Sequence, residues 1–140
     1  MSNRIDFKLK EFAKGLLAQE SRRGKTAGGK GPAGFRICEK LCGSLCKLMG
    51  VAGYRSLLSR ALVLASAEVP WLGELQVRAD GRLEGLEKMK SKLNGEQIAE
   101  GEVVLVAGLV EPIVTFIGPT LTLQLIQQAW PKADFSKCKL

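Results

Sequence analysis

Three cysteines, Cys38, Cys42 and Cys46, stand four residues apart and form the sharpest cluster of reactive side chains in the chain. On a helix that spacing stacks side chains one turn above another, so the thiols would share one side. Such a row could bind a soft metal or exchange with oxidants, provided the sulfurs ionise. Two features argue against it. The spacing misses the close cysteine pairs of structural zinc sites, and Lys40 and Lys47, the cations that could stabilise thiolates, fall on the opposite side of the same helix. Cys38 and Cys42 inside an apolar stripe, with Cys46 on its flank, are read as small buried hydrophobes. A thiol-based redox or metal sensor is the alternative. The chain contains no histidine, which removes the commonest general base, nucleophile activator and metal ligand together. No catalytic residue, cofactor or metal site is predicted, and the chain is read as non-enzymatic.

Other candidate chemistry is weaker. Gly24-Lys25-Thr26 imitates the end of a phosphate-binding loop, but Gln19 stands where the pattern requires its first glycine, and a helix rather than a strand precedes it. Glu111 would become a useful acid or base if burial raised its pKa. Its helical neighbours Val104, Gly108 and Thr115 supply no second titrating group. Trp71 and Trp130 are read as core or interface anchors. Charge is distributed unevenly: residues 1–60 carry thirteen Lys and Arg against four Asp and Glu, a net +9, and residues 61–140 carry a net −2. Arg22, Arg23, Lys25 and Lys30 in an arm, with Arg36, Lys40 and Lys47 on a helix, could neutralise phosphates or face an acidic protein surface. No aromatic residues are interleaved for base stacking. A solvated face is the simpler reading.

The elements that would carry these residues follow from apolar periodicity. Ser2 or Asn3 can cap a first helix with Ile5, Leu9, Phe12, Ala13 and Leu16 on one side. Residues 22–34 contain five glycines and a proline and are read as a flexible basic linker. A second helix over 35–49 clusters Phe35, Cys38, Leu41, Cys42, Leu45, Leu48 and Met49, and a third over 54–67 is broadly apolar, with Val63 on its far side. In 75–85 a three-residue loop Ala79-Asp80-Gly81 would set Val77 opposite Leu83; a two-residue turn would set it opposite Glu84, a poorer match. A short charged helix over 84–93 precedes Asn94-Gly95.

From Val103 to Ile126 the only ionised side chain is Glu111. That length would suit a bilayer span. Pro112, Gly118-Pro119 and several threonines argue instead for two core helices meeting near Gly118. The first would run over 96–117 with Val103, Val106, Ala107, Val110, Ile113, Val114 and Ile117 inward and Val104, Gly108, Glu111 and Thr115 on a small, polar side. The second, 119–130, carries two apolar faces, Leu121/Leu125/Ala129 and Leu123/Ile126/Trp130.

In the segments AEVPWLGELQVRADGRLEGLE, VTFIG and AWPKA the chain resembles a family of small, uncharacterised bacterial proteins of unknown function. The resemblance covers most of residues 35–133 and implies a bacterial, cytoplasmic origin and no activity. Charged residues Asp6, Lys8, Lys10 and Glu11 interrupt any signal-peptide core. The terminal Cys138-Lys139-Leu140 is an accidental likeness to a peroxisomal address. The expected protein is mainly α: a compact helical domain of five or six helices with one small β-hairpin near residues 75–85. Its parts are an N-terminal amphipathic helix (1–21), a linker (22–34), a helical core (35–133) and a tail (134–140). The expected function is a homo-oligomeric interaction or regulatory module without a membrane span, meeting its partner through Leu123, Ile126 and Trp130. A nonspecific nucleic-acid binder is the further alternative.

Overall fold

The computed structural model describes residues 7–27, 33–79, 83–85 and 92–130. Among these residues the chain is mainly helical, with four α-helices and one two-stranded antiparallel sheet. Helix α1 spans Phe7–Ala27 and α2 spans Ala33–Glu68; a 3-10 turn covers Pro70–Glu74; strands β1 (Gln76–Val77) and β2 (Leu83–Glu84) follow; then come α3 (Gly95–Ile117) and α4 (Pro119–Ala129).

Helix α1 buries Leu9, Phe12, Ala13 and Leu16 of the stripe that the periodicity predicts, while Ile5 and the Ser2 or Asn3 cap lie outside the described residues. It does not end before Arg22, as expected, but runs on to Ala27. Only Gly24 interrupts residues 22–27, and a single helical glycine costs about 1 kcal/mol, whereas Arg, Lys and Ala favour the helix. The glycine cluster proper begins at Gly28.

The second and third expected helices are the two arms of α2, and they are separated where the sequence places a break, at Gly50, whose φ of 81° and ψ of 163° are not helical. A side chain there would be strained. Beyond the bend the chain turns back enough for the buried Tyr54 hydroxyl to donate to the Cys38 carbonyl at 2.8 Å. The inward row of the first arm is Ile37, Cys38, Leu41 and Leu45. Ile37 was missing from the sequence reading, and Leu48, placed inward there, is 53% exposed because the arm ends at the bend. By composition Arg36–Glu68 is long and apolar enough to cross a membrane, with mean hydropathy 1.2. The bend divides that length. In the second arm Tyr54, Leu58, Ala61, Leu62 and Ala65 are buried, and Val63 is 70% exposed, so nothing among the described residues covers its far side.

Strand pairing sets Val77 opposite Leu83 and Gln76 opposite Glu84, the register of a three-residue loop rather than a two-residue turn. Both apolar partners pack against the core. Asp80 and Gly81 of that loop lie outside the described residues, as does most of the expected helix over 84–93; Glu84 itself belongs to β2.

Helix α3 is the centre of the fold, contacting α2 most extensively and α1 next. Asn94 and Gln97 start it with reciprocal bonds: the Asn94 side chain accepts from the Gln97 N–H at 2.8 Å, and the Gln97 side chain accepts from the Asn94 N–H at 3.0 Å. The Asn-x-x-Gln spacing is the sequence signature of this cap. Every residue from Val104 to Val110 is buried. Val104 and Gly108, assigned to a small outer side, are therefore close-packed; small side chains let neighbouring helices approach. Only the far end of that side turns outward, with Glu111 half-buried and Thr115 exposed. The helix passes through Pro112 and stops at Gly118, where φ is 86°. Pro119 opens α4 in its first turn, as its fixed φ allows. The apolar run from Val103 to Ile126 is thus divided between two helices meeting at Gly118, as expected.

Candidate functional site

Helix α4 decides which surface remains for function. Its inward row is Thr122, Ile126 and Trp130, one turn apart, with Ile126 and Trp130 each 1% exposed. Thr122 tolerates burial because its hydroxyl donates to the Gly118 carbonyl at 2.7 Å. Two of the three residues expected to meet a partner, Ile126 and Trp130, are therefore core residues of this chain, and Leu123 is half-buried against that core. The physical reason is bulk. An indole anchors the interior better than Leu121 or Ala129 can. The face left outward is the other one: Leu121 is exposed, and Leu125 and Ala129 are half-buried.

That outward face and the first arm of α2 form a groove of about 550 Å³. Leu48, Gly43, Leu125 and Ala129 supply its apolar surface, while Lys40, Lys47, Ser44 and Gln128 supply polar edges. The helical stripe predicted for Lys40 and Lys47 thus becomes one rim. Lys40 is half-buried with its Nζ 5.0 Å from the centre of the Trp130 ring, a cation-π contact that ties the rim to the core. Lys47 is exposed, and Arg36 lies one turn before Lys40, half-buried. Of the remaining basic candidates, Arg22, Arg23 and Lys25 are in the last turns of α1, and Lys30 lies outside the described residues.

The cysteine row has the predicted placement. Cys38 is buried, and Cys42 and Cys46 are half-buried. Burial pushes the Cys38 thiol up to about 12, with Glu39, Cys42 and Glu102 adding to the effect, so it is a poor nucleophile. Tyr54, buried beside it, is raised for the same first reason. An unfolded cysteine ionises near 9.0 and the folded Cys38 near 12, so its contribution is full below pH 9 and is lost as pH rises toward 12. The urea midpoint should be level up to about pH 8 and decline above 9. Cys38→Ala should delay the start of that decline toward pH 10, where unfolded tyrosine ionises; an unchanged alkaline limb would remove Cys38 as its cause.

A second cleft, about 430 Å³, lies among Lys10, Lys14, Glu68, Ala99, Glu100, Val103 and Val104. Its Lys10 and Glu68 form an ion pair at 2.5 Å that fastens α1 to the end of α2, which gives this cleft a structural role. Trp71 is half-buried beside Gly101, and its Nε1 is buried without a hydrogen-bond partner among the described residues. No group of three His, Cys, Asp or Glu among the described residues could hold a metal.

Comparison with known proteins adds no assignment: no family model, curated protein or solved structure matches this chain.

Proposed function

We propose that this chain is a non-enzymatic interaction module whose docking face is the groove between the first arm of α2 and helix α4. The observation that carries the reading is the combination in that groove of an apolar floor, Leu48, Leu125 and Ala129, with a lysine rim, Lys40 and Lys47. Helix-in-groove recognition uses such a pairing: leucines spaced at i, i+4 and i+7 enter the floor, and acidic side chains on their flanks meet the rim. The occupant that fits is an acidic amphipathic helix. Two copies of this chain meeting groove to groove would bring each lysine rim against its like, which disfavours self-association through this face. The expectation of a homo-oligomer has also lost Ile126 and Trp130 to the core.

The test is titration of a synthetic amphipathic helical peptide carrying that leucine spacing and glutamate flanks. Leu48→Glu and Lys47→Glu, both at exposed positions, should each weaken binding about tenfold, or about 1.4 kcal/mol. Equal affinity across the variants would discard the groove. Tighter, steeply salt-dependent binding of a single-stranded oligonucleotide would replace this reading with the nucleic-acid one. A dimer by native mass spectrometry that dissociates in Leu48→Glu would replace the acidic partner with a second copy.

A further inference from the structure

The sulfurs of Cys42 and Cys46 approach to 3.3 Å, while both residues remain half-buried. They stand on consecutive turns of one helical arm, and neither lines the groove. We propose that Cys42 and Cys46 are a two-thiol chelating site for a trivalent thiophilic centre of the organoarsenic(III) type.

The resting sulfur separation fits this ligand class. With metal–sulfur bonds of about 2.3 Å, a linear centre holds its sulfurs about 4.6 Å apart and a tetrahedral one about 3.8 Å, whereas a centre with bonds near a right angle holds them at about 3.3 Å. The observed separation matches the last, the pyramidal geometry of a trivalent atom bearing a lone pair. A tetrahedral ion would also require further ligands, and the described residues offer no third donor group for one.

Disulfide formation fits less well. Its β-carbons must come to about 3.5–4.5 Å, whereas β-carbons on consecutive helical turns stand about 5–6 Å apart. Oxidation would therefore distort the arm. Chelation leaves it intact, because the bridging atom spans the gap. The chemistry balances without a redox partner: each thiol gives its proton to a hydroxyl on R–As(OH)2, two waters leave, two As–S bonds replace two As–O bonds, and the arsenic stays trivalent. Cys38 stands a turn away but is 3% exposed, so it is not expected to contribute.

The experiment is titration of the full-length, phosphine-reduced protein with phenylarsine oxide, followed by native mass spectrometry and by competition with a small dithiol. One adduct per chain is expected, with Cys42→Ser and Cys46→Ser each weakening it at least a hundredfold and Cys38→Ser and Cys138→Ser leaving it within threefold. Circular dichroism of each variant checks the fold, and Cys42→Ala provides a second apolar substitute where serine perturbs the arm. An adduct that survives both Cys42 and Cys46 substitutions, that requires Cys38 or Cys138, or that forms only in urea overturns the assignment.

Discussion

Replacing Trp130 with alanine should lower stability by about 3–5 kcal/mol, the range for removing a large buried aromatic side chain. The indole is 1% exposed, sits with Ile126 in the core, and receives the Lys40 ammonium at 5.0 Å from its ring centre. Its removal opens a cavity between α4 and the rest of the core, because neighbouring side chains relax only partly into such a space. Against a total stability of about 5–15 kcal/mol for a domain, the loss is large. Urea unfolding checks it, with Phe116→Ala as the reference. Phe116 is 73% exposed, so its truncation should stay within about 0.5 kcal/mol. The pair also decides between two roles for Trp130. Were it a contact to another molecule, its truncation would alter assembly and leave the monomer's urea midpoint where it was.

Much of the fold was legible because local chemistry marks it. Gly118-Pro119 combines a residue that accepts positive φ with one that starts helices, so the division of the long apolar run was set by two adjacent residues. The hairpin register followed from requiring an apolar partner for Val77, and Leu83 is that partner. What stayed hidden was information that one helix does not hold. Each face of α4 is apolar, and its periodicity cannot say which one meets α2 and α3. Thr122 was the usable signal. A threonine that satisfies its hydroxyl on the carbonyl four residues back can be buried, and it continues the row of Ile126 and Trp130.

The candidate site shows the same limit. The lysine stripe and the cysteine row were readable from spacing within one helix, and both keep their predicted sides of the first arm of α2. The groove was not readable, because Leu48 and Leu125 lie far apart in sequence and only tertiary packing brings both to its lining. Leu48 was assigned inward by its angular position. Its exposure comes from the bend at Gly50, which ends the arm before a further turn could cover it. The 3.3 Å sulfur approach likewise depends on rotamers that the four-residue spacing permits but does not determine.

Substituting alanine at Gly101 should destabilise the protein by about 1–3 kcal/mol, the usual effect of overpacking a filled interior. Helix propensity alone argues the reverse, since alanine in a helix is favoured over glycine by about 1 kcal/mol. The surroundings decide which effect wins. A β-carbon at Gly101 would fall 2.2 Å from Cζ2 of Trp71 and 2.9 Å from its Cε2, and a rigid indole cannot yield as a flexible side-chain end would. Gly43, inside helix α2 with nothing within 4 Å of its notional β-carbon, isolates the propensity effect. Gly43→Ala should therefore stabilise by up to about 1 kcal/mol while Gly101→Ala destabilises. The double-mutant cycle with Trp71→Ala completes the test: removing the indole should relieve most of the Gly101→Ala penalty, giving a coupling above about 0.5 kcal/mol. Additive effects would show that Gly101 is required for some reason other than the ring lying across it.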